Sequence, residues 1–397
     1  MADNMLIPVF LKELRLTRFN KPFYIICKID FRPYILYINF KKVKLILGKP
    51  DMGSAKENLK QAVLWEPYEQ DKKVHCRLCN WLCVINEGRL GRCQVRKNID
   101  GILYSLTYYN VCSANPDPIE KKPLFHFQPG SRSFSVAAMG CNFRCEFCQN
   151  WQISQAALEE GKIDGEPITP EHIVEAAVRS GCRSMAYTYT EPTIFMELCN
   201  DCGRLAKARG LTNVFVSNGF MTTEAIDFAS DWLDGINVDL KAFSEDFYER
   251  LCKAKLQPVL DTISYIAKKT KIWLEITTLL VPGQNDSDDE LKQLAGFIAN
   301  NAGVDVPWHI SRFHPQYKYL DSVPTPLDSM EHAYEIGKSA GLHYVYLGNV
   351  PGSKAESTFC YNCGRLLIER LGYRIAVNNV KDSKCPDCGT QIAGFEF

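Results

Sequence analysis

No stretch of the 397 residues stays apolar for the roughly 20 residues that a membrane-spanning helix needs. The first residues carry Asp3 and Glu13 and lack the unbroken apolar core of a secretion signal, so the expected compartment is cytoplasmic. Internal repeats and low-complexity tracts are missing too, which excludes solenoid and fibrous architectures. Net charge is absent, because 46 Lys+Arg balance 46 Asp+Glu. That balance is uneven. Residues 1–50 hold ten basic residues against three acidic ones, which leaves 36 basic and 43 acidic in the remainder. A mildly acidic body argues against a broad electrostatic surface for nucleic acid.

Cysteine, by contrast, is abundant. There are 17, and eleven of them fall into three tight clusters. Disulfide scaffolds this rich in cysteine are usually short and secreted. In a long chain without a secretion signal, clustered cysteines read as metal sites.

The order of patterns along the chain implies the fold. β-rich stretches fall at 133–138, 184–189, 213–217, 235–240, 272–281, 308–313 and 343–347, with helical patterns such as 170–179 and 222–233 between them. Thr169 is the expected N-cap of the first of these helices, and Pro170 its first residue. Strands alternating with helices make βα units and a parallel sheet, and seven units predict an α/β fold built on a full or partial (β/α) TIM-like barrel. The expected organisation is a basic extension at 1–51 of uncertain role, either an arm for an anionic partner or a segment with no part in the chemistry. An N-terminal Cys-rich module and lead-in follow at 52–131, then the barrel at 132–357 and a zinc-ribbon-like module at 358–397.

The central cluster is Cys141-x3-Cys145-x2-Cys148, directly after the first expected strand. In TIM-like barrels the loops after the strands build the active site. Thiolates are the ligands of iron–sulfur clusters, and three of them leave one iron of a four-iron cube open. The open iron can chelate the amino and carboxylate groups of S-adenosylmethionine (SAM). Phe143, Phe147 and Trp151 would shield such a cluster. Zinc or buried core thiols are the plainer readings of the spacing alone. Polar motifs recur after the later strands, with Glu191 in Thr188–Thr193, Asn218 in Ser217–Gly219, and Asp239 and Lys241 in Asn237–Lys241. Independent turns would explain the Gly and Pro residues of these motifs but not Glu191, Asp239 and Lys241.

Two further cysteine sets flank the barrel. Cys76-x2-Cys79-x3-Cys83-x9-Cys93 supplies four thiolates, which suit either a tetrahedral zinc or a second iron–sulfur cluster. Cys360-x2-Cys363 and Cys385-x2-Cys388 each run into Gly, which is a zinc-ribbon pattern around an expected hairpin at 366–377. Cys27, Cys112, Cys182 and Cys252 are isolated and read as buried thiols. His309 and His314 flank the sixth expected strand, where substrate contact and ordinary hydrogen bonding are both open.

Across residues 74–397 the chain resembles the radical SAM enzyme of the AmmeMemoRadiSam system, a relative of the pyruvate formate-lyase activating enzymes. The carrying stretches are Cys76–Cys83, Asp117–Phe127, the Cys141 loop, Tyr187–Thr193, Asn237–Lys241 and Gly348–Gly352. The resemblance implies a [4Fe–4S] cluster on Cys141, Cys145 and Cys148 that cleaves SAM reductively to methionine and a 5′-deoxyadenosyl radical. It also implies that Glu191 contacts the SAM amino group and that Asn218, Asp239 and Lys241 lie near SAM. The implied partners are a one-electron reductant such as ferredoxin or flavodoxin and a Memo-like protein. The alternative it leaves is a glycyl-radical-enzyme activating enzyme.

Overall fold

The computed structural model describes residues 59–397 apart from Gln70, so the basic extension at 1–51 and Cys27 lie outside the described residues. Nine strands form the central sheet: β1 (Asn110–Pro118), β2 (Arg132–Ala138), β3 (Glu166–Pro167), β4 (Ser184–Tyr187), β5 (Thr212–Ser217), β6 (Gly235–Asp239), β7 (Trp273–Leu280), β8 (Trp308–Arg312) and β9 (Val345–Gly348). From β2 through β4 to β9 the strands pair in chain order and all in parallel. Each crossover carries helical segments, among them Pro170–Arg179, Met196–Ala208, Thr223–Ala229, Gln257–Lys269, Asp288–Phe297 and Leu327–Ser339. The antiparallel β1 occupies the free edge of β2 and carries β3 on its own outer side, so β2 never meets β9 and the barrel stays open. No helix among the described residues is long and apolar enough to cross a membrane.

Alternation along the strands sorts the two faces of the sheet. Phe134, Val136 and Ala138 of β2 join the apolar layer beneath the helices, with Ile173, Val174 and Ala177 of Pro170–Arg179. That helix starts where the sequence places it. Thr169 has the extended backbone of a cap, yet its hydroxyl bonds His172 Nδ1 (2.9 Å) instead of a backbone N–H. The pattern at 222–233 folds into a shorter helix, Thr223–Ala229. Thr222 caps it, and it ends where Trp232 and Leu233 turn their N–H groups back onto Ala229.

The other face of the sheet encloses the barrel interior, and its lower part is plugged by the chain that follows β1. Glu275 of β7 is fully buried there. It accepts the backbone N–H groups of Phe125 (2.9 Å) and His126 (2.8 Å) and the indole N–H of Trp273 (3.0 Å), and His309 Nε2 lies 2.6 Å away. Asn237 donates to the Pro123 carbonyl (2.7 Å). Gly235 must lack a side chain here, because a Cβ would stand 2.8 Å from the Phe127 ring. His309 is therefore a buried structural partner in this plug. The C-terminal module closes over the same segment. Buried Arg370 donates to the Phe125 carbonyl (2.8 Å), and Phe395 pairs with the backbone of His126 and Gln128.

The Glu275 carboxylate is held below the ordinary glutamate range. Burial opposes its ionisation, but His309, the charge of His126 and the Trp273 indole outweigh that. A depressed folded-state pKa contributes stability above the ordinary glutamate pKa, and this is lost as pH falls through the folded value. Glu275→Leu strands two buried backbone N–H groups and His309, and should cost about 3–5 kcal/mol at neutral pH. It should also flatten the acid limb of the stability curve. Denaturant unfolding across pH measures both, and a variant as stable as wild type would contradict the plug.

Candidate active site

Because β2 and β4–β9 run parallel, the loops after them share one edge of the sheet. The Cys141 loop leaves β2 through Gly140, whose φ of +98° suits only glycine. A Cβ on Gly140 would stand 2.7 Å from Val95 Cγ1, 3.0 Å from the Cys93 carbonyl and 3.1 Å from Ile194 Cδ1. The loop beyond is pinned from several sides. Arg144 donates to the Cys141 (2.6 Å) and Phe143 (2.7 Å) carbonyls, and Arg144 and Glu146 take the Cys252 and Leu251 carbonyls through their backbone N–H groups. These last contacts come from the π-helical turn Tyr248–Cys252.

The three cysteines converge enough to feel one another's charge, and each has a donor or polar neighbour. The Phe143 N–H approaches Cys141 Sγ (3.4 Å), Ser154 Oγ lies 3.1 Å from Cys148 Sγ, and the Asn150 backbone N–H also points at Cys148. Phe143 and Phe147 are buried beside them, and Trp151 stacks on Tyr317. Burial, followed by the charges of Glu191 and Cys145, pushes the Cys141 thiol up, and burial carries Cys148 up to about 11. Cys145 is driven up first by its hydrogen bond with Cys252 and then by burial. Donors aimed at buried sulfurs fit an iron–sulfur cluster on these three thiolates. Cys252, read from sequence as an isolated core thiol, lies against Cys145. Their separation along the chain hid this contact.

The later strand ends crowd the same loop. Glu191 is buried after β4, and its Oε1 accepts the Thr193 N–H (3.0 Å), the Thr193 hydroxyl (2.5 Å) and the Ser217 hydroxyl (2.8 Å), while Oε2 accepts the Asn218 N–H (2.8 Å). Burial raises its pKa against these four donors. Asn218 in turn donates from Nδ2 to Asn142 Oδ1 (2.7 Å), inside the cysteine loop. Asp239 ends β6 and pairs with Lys241 (3.0 Å). Burial disfavours the Lys241 charge, but Asp239, Cys145 and Cys252 together hold its pKa well above the ordinary lysine value. Asn218 therefore touches the Cys141 loop, Glu191 is joined to it through Asn218, and the Lys241 charge acts on Cys145 and Cys148. Asp239 does so through Lys241.

Beneath the loop, Asp117 of β1 gathers Lys122 (2.8 Å), Lys121 (2.9 Å), Ser135 (2.7 Å) and the Tyr189 hydroxyl. Tyr189 is tied back to the cysteine loop by Asn150, which donates to its carbonyl (2.9 Å). The Asp117–Phe127 stretch thus supplies both the plug and a charged interior, neither of which is visible in its composition.

The sixteen described cysteines are all free thiols. Cys360, Cys363, Cys385 and Cys388 bring their sulfurs within 4.8 Å of one another, with Cys360–Cys388 at 3.6 Å and Cys363–Cys385 at 3.7 Å. Both halves of this site have one geometry. The Cys360 and Cys385 N–H groups bond the Arg365 and Thr390 carbonyls, and Gly364 and Gly389 bond back to Cys360 and Cys385. The expected hairpin forms as Leu366–Leu371 with Arg374–Asn378.

Gly140→Ala should destabilise the protein by about 2–4 kcal/mol. Positive φ contributes roughly 1–2 kcal/mol of this and overpacking against Val95 the rest. Chemical denaturation measures the loss, and a variant within 0.5 kcal/mol of wild type, about the scatter of neutral surface changes, would contradict the close approach.

Residues 136–295 match the family model of the radical SAM superfamily. The match starts on β2 and takes in Cys141, Cys145, Cys148, Glu191, Asn218, Asp239 and Lys241. An uncharacterized protein of Methanocaldococcus jannaschii is 45% identical over 336 residues, which is 84% of this chain and 99% of that one. The pyruvate formate-lyase-activating enzyme of Listeria monocytogenes is 27% identical over 219 residues, 51% of this chain and 84% of its own. Membership of this superfamily implies a [4Fe–4S] cluster and SAM. The chain belongs to the radical SAM superfamily and is a radical SAM enzyme, with homology to the activating enzymes of glycyl-radical enzymes.

Proposed function

We propose that Cys141, Cys145 and Cys148 hold the [4Fe–4S] cluster and that the enzyme abstracts hydrogen from a substrate at the open barrel mouth, within an AmmeMemoRadiSam-type system beside a Memo-like partner. The convergence of Glu191, Asn218 and Lys241 from three later strand ends on one cysteine loop carries this reading. The cluster and SAM, when bound, supply one-electron cleavage of the sulfonium to methionine and a 5′-deoxyadenosyl radical, with the electron coming from a carrier such as ferredoxin or flavodoxin.

The protein's own residues bind, orient and exclude water. Lys241 sets a fixed positive charge beside Cys145 and Cys148. Glu191 draws the ends of β4 and β5 together and holds Asn218 against Asn142. Its Oε2 carries a single donor and keeps a lone pair for the SAM amino group. Phe143 and Phe147 keep water from the sulfurs. A zinc ion on Cys360, Cys363, Cys385 and Cys388 would be closed and structural, because four thiolates leave no open position.

Activation of a glycyl-radical enzyme is the second reading, and the Listeria activating enzyme is what favours it. That enzyme aligns with only about half of this chain, whereas the Methanocaldococcus relative aligns with 84% of it. The Cys76–Cys93 module, whose Cys76–Cys83 stretch helps carry the AmmeMemoRadiSam resemblance, favours the first reading.

Anaerobically reconstituted protein given SAM and dithionite should form 5′-deoxyadenosine. Cys141→Ala, Cys145→Ala and Cys148→Ala should each reduce this to background by chromatography. Wild-type turnover in any one of them would overturn the cluster assignment. Glu191→Gln should keep the cluster and lower SAM affinity about ten- to a hundredfold, the worth of a charge-assisted hydrogen bond. Equilibrium dialysis showing unchanged affinity would refute the contact.

A further inference from the structure

The four cysteines of the N-terminal module are built as a charged centre, although nothing in the reaction above uses them. Cys76 ends the strand Lys73–Cys76, and its N–H bonds the Cys83 carbonyl (2.9 Å). Backbone N–H groups point at three of the sulfurs, from Trp81 to Cys79, from Arg92 to Cys83 and from Val95 to Cys93. Such N–H···S contacts surround bound thiolates and tune the metal they hold.

Two arginines add a second and independent sign. Arg96 is 1% exposed, and its Nη2 is bonded to Glu197 and to the Val63 carbonyl (3.1 Å). Its Nε and Nη1 have no partner, and after Glu197 the charges that act on it most are those of Cys76, Cys93 and Cys79. Arg92 Nε is also buried without a partner; the charge of Arg144 acts on it most, followed by Cys83 and Cys79, and its guanidinium lies 3.7 Å from the Trp81 ring centroid. An unpaired buried donor destabilises the fold, and neutral thiols would not offset that. A thiolate-ligated centre of net negative charge would.

Sulfur spacing separates the candidate metals. A tetrahedral zinc with Zn–S bonds near 2.3 Å sets its sulfurs about 3.8 Å apart, and the C-terminal four match that. Among the described residues, no other group of three or more Cys, His, Asp or Glu ligand atoms lies mutually within 4.8 Å. Neither Cys76, Cys79, Cys83 and Cys93 nor the three cysteines of the catalytic loop bring three sulfurs mutually within that distance. The wider set suits a cube of iron and sulfide better than a single ion.

The module also abuts the catalytic loop. Trp81 Nε1 donates to the Asn142 carbonyl (2.9 Å), and Arg144 bonds the Arg92 carbonyl. The Cys93 carbonyl is one of the atoms that leave Gly140 no room. Phe220 lies between Trp81 and Phe143, with ring centroids 5.2 and 5.3 Å away.

We propose that Cys76, Cys79, Cys83 and Cys93 hold a second four-iron cluster, which stores an electron beside the catalytic loop, while zinc goes to the C-terminal four alone. One electron from a ferredoxin-class carrier reduces this cluster. It is reoxidised as the same electron passes to the cluster on Cys141, Cys145 and Cys148. Four thiolates saturate it, so it binds no substrate. The relay rests on the radical SAM reading, but the site itself does not.

The test is metal analysis of full-length wild type and of the triple variant Cys141→Ala, Cys145→Ala, Cys148→Ala after anaerobic reconstitution with iron, sulfide and zinc. Wild type should carry about eight irons and one zinc per chain. The triple variant should keep about four irons with matching sulfide, about one zinc, and an electron paramagnetic resonance signal on dithionite reduction. About four irons and two zincs in wild type, with an iron-free triple variant, would overturn the proposal. Should the triple variant fail to fold, the wild-type iron-to-zinc ratio decides. Wild type that holds eight irons but cannot cleave SAM would refute the catalytic reading and leave this one standing.

Discussion

The arrangement depends on the close approach at Gly140. β2 is the first of the parallel strands, so its C-terminal end fixes where the cysteine loop starts. At that point the chain turns with positive φ against Val95, Cys93 and Ile194, and there is no space for a Cβ. The N-terminal module, the barrel edge and the segment after Glu191 therefore meet at one residue. The loop's direction is set by packing density and not by any single strong bond.

From this point the site is assembled by buried polar groups that work in relays. Glu191 holds Asn218, and Asn218 holds Asn142. Asp239 holds Lys241 beside Cys145. Asn150 joins the loop to Tyr189, and through its hydroxyl to Asp117 and Lys122 in the interior. Glu191 and Asp117 are buried and matched by several donors, which is the condition under which buried charge specifies geometry instead of destabilising it. Farther down, Glu275 does the same for the plug and thereby fixes the floor of the barrel.

Much of this was legible in the sequence. The parallel strands fall within two residues of their expected starts and within two of their expected ends, because β-branched and aromatic runs between amphipathic helices leave little freedom of register. The cysteine spacings and the strand-end motifs were readable because they are local. β1 did not, because Asn115-Pro116-Asp117-Pro118 reads as a turn. The strand tolerates its prolines because β3 covers only Asn110 and Val111, which leaves the rest of that edge unpaired. The plug at 119–128 was hidden for a related reason. Its backbone groups are satisfied by Glu275, Asn237 and Arg370, all more than 100 residues away. The contact of Cys252 with Cys145 and the pairing of Arg96 with Glu197 are likewise long-range, and no periodicity announces them.

SAM binding at the iron left open by Cys141, Cys145 and Cys148 is read out by electron–nuclear double resonance on the reduced protein, with SAM carrying nitrogen-15 in its amino group. A nitrogen-15 hyperfine coupling that appears in wild type and vanishes in Cys145→Ala is the predicted result. A protein that binds labelled SAM and keeps a reduced cluster on this loop, yet shows no such coupling, would contradict the account.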